Sequence, residues 1–244
     1  MKIAVLSDIH ANAQALESVM NDVIAQGCEH VFCLGDLALA GPQPKEVLDY
    51  VMAQNTWTII QGNTDKMIAQ YGPEVKEFLQ EQYPVMANAI EDDVMVLSDT
   101  HRAYLSDLPP ILSLDVEGCS VLLVHGSPRA NNEDILPEMP LEMIEEIIDG
   151  TKEKLILCGH THIPCGYQTQ GGQTVVNVGS VGRPMTPQPK ACYCVIDFSQ
   201  GSFEIRHRFV DYDNKLAAQL MSERGFVGAD RLSDLLLNPV ERHI

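Results

Sequence analysis

The chain has 244 residues, 45% of them apolar and 20% charged, which is enough length and hydrophobicity for a sizeable core. Its 34 acidic residues against 16 basic ones give a formal charge of −18, which argues against an extended nucleic-acid-binding face and against attraction to anionic membranes. No apolar run approaches the ~20 residues of a membrane span and no signal-peptide cleavage pattern opens the chain, so a cytoplasmic protein is expected.

Hydrophobic periodicity predicts a strand over 2–6, an amphipathic helix over 11–26, a strand over 30–34, a helix over 45–54 and a strand over 57–60. This βαβαβ order implies a parallel sheet, and Asp8, Asp36 and Asn63 fall just past its strand ends, where sites in such sheets gather. The stretch 66–110 reads as a helical insert punctuated by Pro73, Pro84, Pro109 and Pro110. Strands over 111–116 and 120–125, a helix over 141–149 and a strand over 154–158 follow. Short strands over 165–169, 174–178, 191–198 and 202–209 come next, with Gly171-Gly172 and Gln200-Gly201 as hairpin turns. They imply a second, largely antiparallel sheet, and two helices near 213–224 and 229–237 end the pattern. No repeat or linker divides the chain, so a single domain over 1–244 is expected. The seven cysteines include no Cys-x-x-Cys pair and read as reduced thiols; Cys192 and Cys194 fit a strand of small apolar residues better than a metal pair.

Asp8-Ile9-His10 and His160-Thr161-His162 each place two metal-ligand side chains two residues apart at the end of an apolar run. In an extended segment such residues point to one side. Gly35-Asp36, Gly62-Asn63 and His125-Gly126 add a carboxylate, an amide and an imidazole, each beside a glycine that removes bulk where backbone must crowd an ion. Taken singly, Asp8 or Asp36 reads as a helix cap and a lone histidine as a satisfied hydrogen-bonding group. Seven such residues at strand ends read as a site for transition metals rather than calcium. Asn12 is expected to cap the first helix, and His30, His101, His207 and His243 match no motif.

In this order the five motifs resemble the calcineurin-like metallophosphoesterase superfamily, most closely its small bacterial and archaeal phosphodiesterase branch, from residue 1 to about 198. The segment Asn177-Val178-Gly179-Ser180-Val181 is similar to that branch's Asn-Pro-Gly-Ser-Val, with Val178 where proline is usual. The resemblance implies a four-layer α/β/β/α sandwich of two mixed sheets flanked by helices. It also implies two divalent or trivalent transition-metal ions, manganese, iron or zinc. Asp8, His10, Asp36 and His162 would hold one ion, and Asp36, Asn63, His125 and His160 the other, with Asp36 as the bridge. The implied reaction is in-line attack of a metal-bridging hydroxide on a small-molecule phosphodiester or nucleotide phosphoanhydride, with Asp36, Asn63 and Asp65 as the catalytic set. A protein-binding scaffold of the same fold and a protein serine/threonine phosphatase are the alternatives; the presence of His10, His125, His160 and His162 favours the enzyme.

Many members continue the Gly-Asn motif with a histidine that serves the leaving group, whereas this chain reads Gly62-Asn63-Thr64-Asp65. A general acid contributes ~10²–10⁴ in rate, most for poor leaving groups. Asp65 as an orienting group, His101 from the insert, or a water are the candidate substitutes, water being preferred. Arg129 and Arg183 are the expected contacts to substrate phosphate.

Overall fold

The computed structural model describes residues 1–239; His243 lies outside them. β1 (Lys2–Leu6), α1 (Ala13–Ala25), β2 (His30–Cys33), α2 (Pro44–Met52) and β3 (Trp57–Ile59) form the expected βαβαβ unit, with β1–β2 and β2–β3 parallel. Asn12 caps α1 by accepting the Ala15 N–H at 3.1 Å. Four helices follow: α3 (Asn63–Ala69), α4 (Pro73–Gln82), α5 (Pro84–Val96) and α6 (Asp99–Asp107). Pro73 and Pro84 stand in the first turns of α4 and α5, where proline loses nothing because that N–H has no helical partner.

Next come β4 (Ile111–Val116), β5 (Cys119–Val124), α7 (Leu141–Ile147) and β6 (Leu155–Cys158). They are followed by β7 (Cys165–Gln168), β8 (Thr174–Asn177), β9 (Ala191–Ser199), β10 (Ser202–Val210), α8 (Asn214–Glu223) and α9 (Ala229–Leu237). The strands form two five-stranded sheets, ordered β10-β9-β1-β2-β3 and β4-β5-β6-β8-β7.

The late strands do not make an antiparallel sheet of their own. β8 lies parallel to β6 in the second sheet, while β9 runs antiparallel to β1 and carries β10 into the first, so both sheets are mixed. The burial pattern gives the reason. Ala191 to Ile196 in β9 are all buried, as befits a strand with neighbours on both sides, whereas β10 alternates exposed and half-buried positions, as an edge strand does. Gln200 and Gly201, with φ of 48° and 75°, make the tight turn between them.

Period-two alternation sorts side chains into layers. Ile3, Val5, Phe32, Val121, Leu123, Leu155 and Leu157 fill the space between the sheets. Ala4, Leu6 and Val31 face the other way onto Leu16 and Val19 of α1, while Leu122, Val124 and Ile156 meet Ile144 and Ile147 of α7. The result is the α/β/β/α sandwich. Each fully buried large aliphatic side chain contributes about 1.5–3 kcal/mol. Leu79, Ile90 and Leu105 tie the α3–α6 insert into the core on the first sheet. All seven cysteines are free, and no helix among the described residues is long and apolar enough to cross a membrane.

Candidate metal centre

The loops that follow β1, β2, β5, β6 and β8 are laced together by main-chain hydrogen bonds. Asp8 N–H donates to Gly35 O (3.0 Å), His10 N–H to Asp36 O (2.9 Å), Gly159 N–H to His125 O (2.8 Å) and Gly182 N–H to Asp8 O (3.0 Å). Asp8, His10, Asp36, His160 and His162 all take left-handed backbone, with φ between 44° and 66°. The paired ligands therefore do not converge through the same-side rule of an extended strand, because β1 and β6 end at Leu6 and Cys158. They converge through left-handed turns just beyond, a conformation that costs non-glycine residues energy and clusters at functional sites. Gly62 is needed there too, since a Cβ on it would lie 2.0 Å from Asp36 Oδ1.

Two groups of donors result, each with its ligand atoms within 4.8 Å of one another: Asp8, His10 and His162, and Asp8, Asp36 and His125. Asp8 Oδ1 lies 3.1 Å from His162 Nε2, 3.8 Å from His10 Nε2 and 3.9 Å from His125 Nε2. Asp36 turns Oδ2 to His10 Nε2 (3.6 Å) and Oδ1 to His125 Nε2 (3.4 Å). Asn63 Oδ1 is 3.0 Å from His125 Nε2. His160 sits outside both groups. Its ring packs against His125 at 5.3 Å between centroids, its N–H donates to Asp8 Oδ2, and its Nε2 lies 3.5 Å from Asp134, a residue no sequence signal marked.

Carbonyl oxygens fix the imidazoles. Nδ1 of His10, His125 and His162 donates to Leu39 O, Leu34 O and Arg183 O at 2.9, 2.7 and 2.6 Å, which leaves each Nε2 facing the carboxylates. The Nε2 atoms of His10 and His162 are only 3.1 Å apart in a buried setting. Two such basic nitrogens repel unless a proton or a cation lies between them, and Asp8 Oδ1 beside them has no hydrogen-bond partner among the described residues. This donor set fits a cation.

The electrostatics is that of closely coupled buried charges. Burial opposes ionisation of Asp8, but His162, His125 and His10 prevail and hold it well below the usual carboxylate range. Burial likewise raises Asp36 while His125 pulls it down, and the balance falls at about 2. Burial and His162 push His10 down to about 4. For His125, burial lowers the value but Asp36 and Asp8 outweigh it, raising the ring to about 10.

Asp65 is fully buried and stands at the third position of α3, whose N-cap is Gly62. Its oxygens accept three main-chain N–H groups, from Asp36 (2.8 Å), Leu37 (2.9 Å) and Gly62 (2.9 Å). Burial and neighbouring Asp36 push it up to about 7. It braces the Asp36 loop and does not reach the donor cluster itself. Thr64 gives its hydroxyl to Ala38 O. His101 is committed elsewhere, to the Ser98 N–H and to Asp49 at 2.9 Å, so it is not available as an acid. Arg129 is also taken up: Glu133 and Glu146 hold its half-exposed guanidinium. Arg183 is half-buried beside the centre, where its charge bears on His10 and Asp36.

A family model described as "Calcineurin-like phosphoesterase superfamily domain" matches residues 1–201. The chain belongs to that superfamily. An uncharacterised protein of Methanocaldococcus jannaschii is 31% identical to it over 231 residues, covering 88% of this chain and 89% of the relative. A metallophosphoesterase from Sphaerobacter thermophilus shares 26% identity at a TM-score of 0.77, covering 97% of this chain and 98% of its own. A Pyrococcus horikoshii protein has the same fold at a TM-score of 0.86 and 23% identity, with 99% of each chain covered. Membership of the calcineurin-like phosphoesterase superfamily implies metal-dependent hydrolysis of phosphoesters, and the buried carboxylate and imidazole cluster is the candidate place for the metal.

Proposed function

We propose that the protein is a dinuclear metal-dependent phosphoesterase that hydrolyses phosphodiesters or nucleotide phosphoanhydrides. The observation that carries this reading is the Asp36 carboxylate, which offers one oxygen to the His10 side and the other to the His125 side. A carboxylate can bridge ions ~3.5–4 Å apart in this way. Asp8, His10, Asp36 and His162 would hold one ion, and Asp36, Asn63, His125 and His160 the other, for which the His160 ring must turn from Asp134. Manganese, iron and zinc all suit the donor set. When bound, the ions supply Lewis-acid activation of water and charge neutralisation at phosphorus.

The chain's own residues do the rest. The carbonyls of Leu39, Leu34 and Arg183 keep the imidazoles aimed, and Asp65 keeps the Asp36 loop in register. Arg183 would meet a phosphate oxygen, whereas Arg129 would first have to leave Glu133. Neither Thr64 nor His101 can donate a proton to a leaving group, which favours substrates with good leaving groups.

Asp36→Asn keeps the side-chain volume but removes the bridging charge. Manganese-stimulated hydrolysis of bis-p-nitrophenyl phosphate should fall to background while circular dichroism stays that of the parent; a fully active variant would refute the bridge.

A further inference from the structure

Beside the centre, a cavity of about 300 Å³ opens between the corner joining α4 to α5 and the face of α9. Tyr83, Met86, Leu232 and Leu235 supply an aromatic and apolar wall, and Arg183 and Arg231 supply two cations.

Arg183 joins this cavity to the metal centre. Its carbonyl accepts from the His162 Nδ1–H at 2.6 Å, while its guanidinium reaches out to within 3.9 Å of Met86 Sδ. A phosphoester seated at the donor cluster would thus have its organic group directed along Arg183 into the cavity.

Arg129, Arg208 and Arg224 are all paired with carboxylates, as expected where acids outnumber bases two to one. Among the described residues neither Arg183 nor Arg231 has a carboxylate within ion-pairing distance. Two guanidinium groups lining one cavity, neither in an ion pair among the described residues, suit an anionic ligand. Tyr83, at 58% exposure, presents its side chain to solvent at that wall, suited to a flat ring or an apolar group.

We propose that this cavity is the specificity pocket of the metal centre, taking an organic phosphoester whose organic group has a flat apolar portion and a second phosphate, as a nucleoside bisphosphate does. The reactive phosphate lies at the centre beside Arg183, the flat group rests against Tyr83 and Met86, and the second phosphate meets Arg231. The assignment rests on the phosphoesterase reading above but is tested apart from it.

Calorimetric titration of the manganese-loaded protein with adenosine 3′,5′-bisphosphate and with adenosine 3′-monophosphate, in injections short against turnover, reads binding and not hydrolysis. The bisphosphate should bind at least about tenfold more tightly, the size of one charge-assisted hydrogen bond. Arg231 is exposed on α9, so Arg231→Ala should fold normally; it should erase that preference, and Tyr83→Ala should weaken both ligands. Equal affinities in the parent, or a preference that survives Arg231→Ala, would overturn the pocket. Release of p-nitrophenol from p-nitrophenyl phosphate by the manganese-loaded parent tests hydrolysis separately, and its absence alongside the binding preference would overturn the hydrolase reading while leaving the pocket in place.

Discussion

At the residue scale, Asp65 shows how a fully buried side chain can brace a loop of the candidate centre. One carboxylate satisfies three buried N–H groups on two loops, one of which carries Asp36. Each buried donor left without an acceptor costs about 1–3 kcal/mol. Asp65→Ala should therefore lower stability by at least about 3 kcal/mol in urea unfolding, and weaken manganese binding about 10–100-fold through the displaced loop. Asp65→Asn, which keeps one acceptor oxygen, should lie between the two. Unchanged manganese affinity in Asp65→Ala would show that the Asp36 loop holds its shape without the brace.

At the element scale, the donors lie in loops whose shape depends on close approach between neighbouring segments. A Cβ on Gly182 would sit 1.7 Å from Ile9 O, so the turn carrying Asp8 and His10 would have to move. Gly182→Ala should destabilise by about 1–3 kcal/mol and weaken metal binding as well. Gly166→Ala on β7, where the nearest atom is 3.8 Å away, is the matched control and should be near neutral; comparable urea midpoints for the two variants would contradict this account. The same loops set the limit of what the sequence disclosed. Strand positions were legible because alternation and apolar runs are local, and the insert because Pro73 and Pro84 punctuate it. The sheet to which β9 and β10 belong was not legible, since alternation shows that a strand has two faces and says nothing of its neighbour across some 190 residues. The donor residues were legible as types in order. Their left-handed backbone was not, because aspartate and histidine carry no signal for positive φ comparable to glycine's. Asp134 and the committed states of Arg129 and His101 depend on tertiary neighbours and left no trace in spacing.

At the scale of the whole molecule, the formal charge of −18 acts against compaction, and the exposed pairs Lys45–Asp49 and Lys76–Glu91 do little to offset it. Raising salt from ~0.01 M to ~0.15 M shortens the screening length from about 30 Å to about 8 Å. The urea midpoint of the metal-stripped protein should rise over that range, and a flat or falling midpoint would show that self-repulsion contributes little to its instability. Chain order adds a consequence for biosynthesis. β1 carries the first ligands into place between β2 and β9, yet β9 is made of residues 191–199, and Gly182, Ser180 and the Arg183 carbonyl, which fix the Asp8 turn and His162, precede it only slightly. A ribosome that has released only the first hundred residues holds Asp8, Asp36 and Asn63 without the walls that aim them. Metal capture by the proposed centre thus waits until synthesis has passed about residue 200, when β9 can close the first sheet.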